Sequence, residues 1–139
     1  MTIQAKATTK GNFETNDVPS QANFADLIDS ANVPLTDTLT YSSTLATDAS
    51  LADVFRVTLT GNVTLSNPTN PIDGKAITWE ITQDGTGSRT VTLGNKFVIP
   101  STATTPLAWS TAAGKTDILC VRYNSSADKF YVVSMVGGY

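Results

Sequence analysis

Short segments of alternating apolar and polar residues dominate most of the chain and restrict it to a β-fold. In DVFRVTLT, Phe55 and Val57 alternate with polar side chains, and in AITWEIT the same role falls to Ile77, Trp79 and Ile81. A period of two directs one set of side chains into a core and the other toward solvent. Six more segments complete a prediction of about eight strands: VTLS, RTVTL, KFVIP, TPLAW, DILCVRY and FYVVSMV. Their spacing favours a mainly β fold, an antiparallel β-sandwich or jelly-roll-like domain.

Turn signals separate the predicted strands. The Gly-Asn pair at 61–62 predicts a two-residue hairpin turn after DVFRVTLT. The segment QDGTGSRTVTL, residues 83–93, predicts a strand end, a tight turn and a returning strand, with Gly85 and Gly87 providing conformational freedom. The same glycines lack the following helix and the Gly-Lys-Ser/Thr sequence of a phosphate-binding loop. We therefore interpret this segment as a glycine turn.

The composition indicates a neutral surface rich in hydroxyl groups. Charged residues are only 15% of the chain, against roughly 25% in an ordinary globular domain. Thr and Ser make up a quarter of all residues, and Thr favours half-buried, pleated surfaces. The net charge is −3 and the nine basic residues form no cluster along the sequence. Direct binding of nucleic acid is therefore not expected.

Several kinds of site are excluded by residue type. The chain has no histidine, which removes histidine-based catalytic triads and histidine metal ligands. Cys120 is the only cysteine, so neither an intrachain disulfide nor a two-cysteine metal site can form. Paired carboxylates are the one catalytic class left open, but most acidic residues fall at predicted turns and caps, where they bind backbone amides. We expect no enzyme activity, no catalytic residue, no metal and no cofactor.

The chain is predicted to have two regions. Residues 1–50 are expected to form an N-terminal arm, a short helix and a connector that serve in anchoring and oligomerisation, and residues 51–139 the antiparallel β-domain. No segment approaches the roughly 18 apolar residues of a membrane span. The N-terminus also lacks the apolar segment of a signal peptide. We therefore expect no membrane association.

A short amphipathic helix is predicted over about residues 20–31. Ser20 can cap its N-terminus by accepting a hydrogen bond from the backbone amide of Asn23. Phe24, Leu27 and Ile28 fall on one helical stripe. A helix of this length is unstable alone, so we expect the stripe to be buried against a partner surface.

The last predicted hairpin is apolar on both faces. An isolated sandwich should present a polar outer face, so something is expected to cover the second face. Two alternatives are open: the connector of the same chain, or a neighbouring subunit around a threefold axis. In the second case, trimer packing would use Leu119, Val121, Tyr123, Tyr131 and Val133.

The aromatic residues suggest a second class of function, a carbohydrate-binding module. Trp79 shares a predicted strand face with Ile77 and Ile81, so it is expected in the core. Trp109 lies next to a proline-containing loop and is the candidate ligand-facing aromatic. Tyr123 could assist it by stacking on a sugar ring.

Two segments resemble tailed-phage virion appendage proteins. GNFETNDVPSQANFADLIDS, residues 11–30, resembles a motif near the N-termini of many of these proteins. Residues 53–136, with GKAITWEITQDGTGSRTV and DILCVRY as their most distinctive parts, resemble the trimer-forming β-domain of head fibres, tail fibres and capsid decoration proteins. The resemblance implies a homotrimer whose arm and helix attach to the virion. The residues that would anchor it are Phe13, Phe24, Leu27 and Ile28.

Within that group, the length of the chain favours a capsid decoration (cement) protein or a head fibre that stabilises or decorates the phage head. Its partners would be further copies of itself and the major capsid protein or another virion protein. The alternative is a tail fibre or tail protein that binds a receptor or a carbohydrate, such as a host surface glycan. In either case the protein is expected in the virion, after assembly in the cytoplasm of the host bacterium.

Overall fold

The computed structural model describes residues 20–25, 35–101 and 107–139. The chain divides into two units, residues 1–34 and residues 35–139. In the first unit, residues 21–25 are helical, and Ser20 caps them as predicted by accepting a hydrogen bond from the Asn23 amide at 3.2 Å. The Asn23 side chain in turn accepts from the Ser20 amide at 2.9 Å, so each residue satisfies a backbone donor of the other. The rest of the predicted helix lies outside the described residues.

The second unit is mainly β, which confirms the predicted fold class. The described residues contain nine strands, which are β1 (Thr36–Thr38), β2 (Thr44–Leu45), β3 (Val54–Thr58), β4 (Val63–Leu65), β5 (Ala76–Thr82), β6 (Val91–Leu93), β7 (Phe97–Val98), β8 (Thr116–Asn124) and β9 (Lys129–Val136). One sheet has six strands in the order β1-β3-β5-β8-β9-β7, and the other has three in the order β2-β4-β6. Side chains from both sheets meet in one hydrophobic core, so the arrangement resembles a sandwich.

Strand direction differs from the prediction of an antiparallel domain. Pairing is parallel in β1-β3-β5, in β2-β4-β6 and between β7 and β9, and it is antiparallel only in β5-β8-β9. The chain therefore alternates between the two sheets from β1 to β6 and stacks three turns of a parallel solenoid. An alternating pattern fixes which side chains share a face, but it does not fix the direction of the neighbouring strand. For this reason the prediction of antiparallel pairing holds only for β5, β8 and β9 among the described strands.

The two predicted hairpin turns are arches between the sheets. Gly61-Asn62 joins β3 in the six-stranded sheet to β4 in the three-stranded sheet, and residues 83–90 join β5 to β6 in the same way. Strands joined by an arch face each other through their side chains and do not share backbone hydrogen bonds. Glycine and asparagine permit the chain to reverse either as a hairpin or as an arch. A reversal therefore occurs at both positions, but the prediction of a hairpin is wrong.

The last predicted hairpin is a true antiparallel pair, β8 and β9. Its register shifts between Cys120 and Val121, where Ser134 and Val132 are their respective partners. Val133 is therefore the additional residue of a β-bulge. TPLAW, by contrast, is no strand in its described part, residues 107–109.

The core confirms which side chains of the predicted strands face inward, and it extends the β unit toward the N-terminus. Phe55, Ile77 and Trp79 are fully buried. Leu45 and Ala49, which were assigned to the connector, belong to the same core, and the compact β unit begins at Leu35 instead of after residue 50. The polar, Thr-rich sequence of this region concealed its strands, because β1 and β2 together hold only one buried apolar residue.

Trp79 links the six-stranded sheet to the segment that follows β2 and should be a centre of stability. The centroid of its ring lies 6.3 Å from that of Phe55 and 5.9 Å from that of Phe97. Its indole N–H donates a hydrogen bond to the hydroxyl of the buried Thr47, with a donor–acceptor distance of 3.1 Å. We expect Trp79→Ala to lower the free energy of unfolding by about 3–5 kcal/mol, measured by urea denaturation followed by circular dichroism. Ile72→Ala, at a side chain that is 55% exposed, should change it by less than about 0.5 kcal/mol. Equal losses in the two variants would contradict this assignment.

Candidate interaction surfaces

The outer face of β8 and β9 carries an apolar patch. Val133 is 65% exposed, Val136 50% and Tyr131 41%. Ile118 and Cys120 of β8 are half-buried on the same face, because they alternate with the buried Leu119 and Val121. We call these five residues, Ile118, Cys120, Tyr131, Val133 and Val136, the outer β9 patch. Among the described residues the predicted connector does not cover this patch, because its strand β1 is separated from β9 by β3, β5 and β8 in the six-stranded sheet.

The trimer residues predicted from sequence divide between the two faces of this hairpin. Tyr131 and Val133 lie on the exposed face. Leu119 and Val121 are fully buried in the core of their own chain, so they are not available for packing between subunits and that prediction is corrected. Alternation separated the two faces of the hairpin, but only the position of the three-stranded sheet determines which face is internal.

The two aromatic residues proposed for sugar stacking both pack against the core. Tyr123 is half-buried, with its ring 4.8 Å from that of Phe130, and its hydroxyl donates to Asp128 at 3.1 Å. Burial, assisted by this carboxylate, raises the pKa of Tyr123. Trp109 is half-buried and packs against the core cluster. The ligand-facing role of Trp109 stays a prediction.

The predicted anchor residues lie mostly outside the described part of the chain. Phe24 is 51% exposed on the helical segment 21–25. Phe13, Leu27 and Ile28 fall among residues that the structure does not describe. The anchor therefore remains a prediction.

The QDGTGSR arch is held by its own side chains. Asp84 accepts hydrogen bonds from the amides of Thr86 at 3.0 Å and Gly87 at 2.9 Å, and it forms an ion pair with Arg89 at 2.9 Å. These contacts, with Arg89 first, lower the pKa of Asp84. Gln83 is buried, accepts from the Arg89 amide and donates to the Arg89 and Ser110 carbonyls. The polar groups that made this segment conspicuous in the sequence thus serve to close the arch.

The two glycines of the arch have different roles. Gly87 has φ +71°, and a Cβ there would lie 2.5 Å from the carbonyl oxygen of Thr111. At Gly85 φ is not positive, and a Cβ added there would have no atom of the described residues within 4 Å. The prediction that both glycines are needed is therefore correct only for Gly87.

Carboxylates elsewhere in the described ranges also bind backbone amides. Asp117 is buried and accepts from the amide and hydroxyl of Ser110, at 2.8 and 2.6 Å, and from the Gly138 amide at 3.2 Å. Asp73 accepts from the Ser125 amide at 2.8 Å. Within residues 20–25, 35–101 and 107–139, no group of three or more acidic or cysteine side chains is arranged to hold a metal ion. In the same ranges no helix is long and apolar enough to cross a membrane.

A polar groove lies on the outer face of the six-stranded sheet, on β1, β3, β5 and β8. Its volume is about 290 Å³, and its lining residues are Thr38, Arg56, Val57, Thr58, Glu80, Thr82 and Thr116. Strand register produces this composition by aligning Thr38, Arg56 and Glu80 in one row and Thr58, Thr82 and Thr116 in the next. No sequence signal points to this groove, because its residues are far apart in the chain and most are ordinary outward residues of their own strands.

Comparison with known proteins gives one family. A family model described as "Putative phage tail fibre C-terminal domain" matches residues 36–128, two thirds of the chain. No curated protein and no solved structure matches. The match agrees with the resemblance to tailed-phage appendage proteins, and it fits the tail-fibre alternative better than the capsid decoration or head-fibre assignment that the length favoured.

Substitution of the arch glycines should separate their roles. We expect Gly87→Ala to destabilise the β unit by about 2 kcal/mol or more, because the new methyl group meets backbone atoms in a left-handed conformation. Gly85→Ala should change the free energy of unfolding by less than about 0.5 kcal/mol. Urea denaturation of both variants measures the difference, and an equal effect at the two positions would refute the assignment.

The lowered pKa of Asp84 predicts that this carboxylate stabilises the fold at neutral pH and that acid removes this contribution. The folded state favours the ionised form of Asp84 more than the unfolded state does, where the pKa is near 3.8. Stability from this group is therefore complete above that value and is lost as the pH falls through the lower, folded pKa. Asp84→Asn should be less stable than the wild type at neutral pH, and its free energy of unfolding should fall less steeply between about pH 5 and pH 2. Identical slopes in the two proteins would contradict the prediction.

Proposed function

This chain belongs to the family of phage tail fibre C-terminal domains, and on that premise we propose that it is a tail fibre protein that assembles as a homotrimer and contacts the host surface. As a member of this family it is a structural component of the phage virion. The location in the tail, the trimer and the contact with the host are our proposals.

The outer β9 patch is the observation that carries the proposal. Three exposed side chains, Tyr131, Val133 and Val136, stand together on strand β9 of a sheet whose opposite face already forms the core. Exposed apolar side chains grouped in this way mark a protein interface, and the polar residues Arg122 and Ser134 lie beside them on the same face. Burying it between copies would stabilise the assembly in proportion to the apolar area removed from water. A second copy is the occupant that we propose, because the family resemblance implies a trimer of identical chains.

The proposed role is binding without catalysis. The chain has no histidine, and the carboxylates of Asp73, Asp84 and Asp117 are engaged with backbone amides. Under the same proposal, the arm and the amphipathic stripe before residue 35 attach the trimer to another virion protein. A tail location makes that partner a tail protein in place of the major capsid protein.

Labelling on intact virions tests the location. Gold-labelled antibody against the β-domain should mark the tail fibres in electron micrographs of phage particles. Label distributed over the head would overturn the tail-fibre proposal in favour of capsid decoration or a head fibre.

Substitution in the outer β9 patch tests the assembly. The wild type should have a mass three times the 14.7 kDa of the chain by light scattering at micromolar concentration. Val133→Asp should shift it toward the monomer, because a carboxylate buried between subunits would lose its hydration. Thr64→Asp, in an exposed strand position of the other sheet, should remain trimeric. A monomeric wild type would exclude the homotrimer, and a trimeric Val133→Asp variant would show that the interface lies elsewhere.

A further inference from the structure

The polar groove on the six-stranded sheet contains hydrogen-bonding groups that the fold does not use. Nε of Arg56 donates to Oε2 of Glu80 at 2.6 Å. Within the described residues, the structure shows no protein partner for the remaining guanidinium N–H groups or for Oε1 of Glu80. The side chains are 56% and 32% exposed. The pair therefore presents donors and an acceptor side by side toward solvent.

The threonines extend this set across the groove. Thr82 and Thr116 share a hydrogen bond at 2.9 Å between their hydroxyl groups. The hydroxyls of Thr38 and Thr58 have no protein partner among the residues that the structure describes. Each hydroxyl can both donate and accept. Neighbouring strands are about 4.8 Å apart, so the groups form a closely spaced array along two rows.

Charge and size limit the ligands that suit the groove. Arg56 and Glu80 neutralise each other, and in the part of the chain that the structure describes no other charged side chain lines the groove, so neither an anion nor a cation is favoured overall. A volume of about 290 Å³ is just below the roughly 300–1,000 Å³ of most small-molecule sites. A ligand of about one sugar ring is compatible with this space.

We propose that the groove binds a neutral carbohydrate, with Arg56 and Glu80 contacting adjacent ring hydroxyls. One sugar hydroxyl donates to the free carboxylate oxygen while its neighbour accepts from the guanidinium, and the threonine hydroxyls bind the remaining groups. The inference rests on the proposed function and assigns a ligand class to its contact with the host. Because the groove is open and has no aromatic wall, each site binds weakly, and several identical sites on one fibre strengthen attachment through multivalency.

The location of the groove agrees with this role. Glu80 is directly opposite Ile118 in the pairing of β5 with β8, so the groove borders the outer β9 patch without including Tyr131 or Val133. Packing of copies through those two residues would leave β1 and β3 outside the contact. The assembled protein could then still bind a sugar.

Saturation-transfer NMR on the full chain tests the inference. The probes are glucose, galactose, mannose and rhamnose, with glucuronate and glucosamine as charged comparisons. At least one neutral sugar should show transfer, and Arg56→Met and Glu80→Gln should each reduce that signal at least fivefold. Lys96→Met breaks another exposed ion pair, with Asp128, and should leave the signal unchanged. If Arg56→Met fails to fold, Thr58→Val provides a neutral change in the same groove and should also weaken the signal.

Three results would overturn the inference: no transfer to any neutral sugar, equal transfer in the wild type and the groove variants, or stronger transfer to a charged sugar. None of these results depends on where the protein sits in the particle. A failure here would therefore leave the tail location and the trimer untouched, just as label on the phage head would leave sugar binding untouched.

Discussion

In-register stacking of parallel strands is the constraint on which the rest of this structure depends. Strands β1 to β6 contain between two and seven residues each, and most are too short to persist alone. Register places like residues over one another, with Leu45, Leu65 and Leu93 in a row on one side of the three-stranded sheet and a row of threonines on the other. Each turn of the solenoid thus obtains its backbone partners and its share of the core only from its neighbours.

The antiparallel pair β8 and β9 ends this stacking and determines which surfaces remain free. It continues the six-stranded sheet beyond β5, and its inner face contributes Phe130 to the aromatic cluster around Phe97 and Trp79. Among the strands of the described ranges, the three-stranded sheet has no equivalent extension. The hairpin therefore closes the core with one face and leaves apolar side chains on the other, where Val133 stands at a bulge. The same element satisfies the fold and provides the surface proposed for assembly.

The polar groove and the outer β9 patch both lie on the outer face of the six-stranded sheet. Parallel register on β1, β3 and β5 aligns hydroxyl and charged groups into the polar groove, whereas the outward positions of β8 and β9 include the five residues of the outer β9 patch. The proposed contact between copies and the proposed ligand site thus lie on one side of a single sheet. The QDGTGSR arch takes part in neither, because its polar groups are bound within the arch and to Ser110.

The sequence by itself determined the class of fold and the inward side chains, since a period of two in DVFRVTLT and AITWEIT is a local property that backbone geometry enforces. It also determined the Ser20 cap and the resemblance to phage appendage proteins. Only the tertiary structure decided that Gly61-Asn62 and the QDGTGSR turn are arches, that Leu119 and Val121 face inward, and that Arg56 and Glu80 share a groove with distant threonines. These features depend on which strands become neighbours, and neighbours here are separated by long stretches of sequence. Local alternation is the same for parallel and antiparallel partners, so pairing is selected by packing across the whole domain.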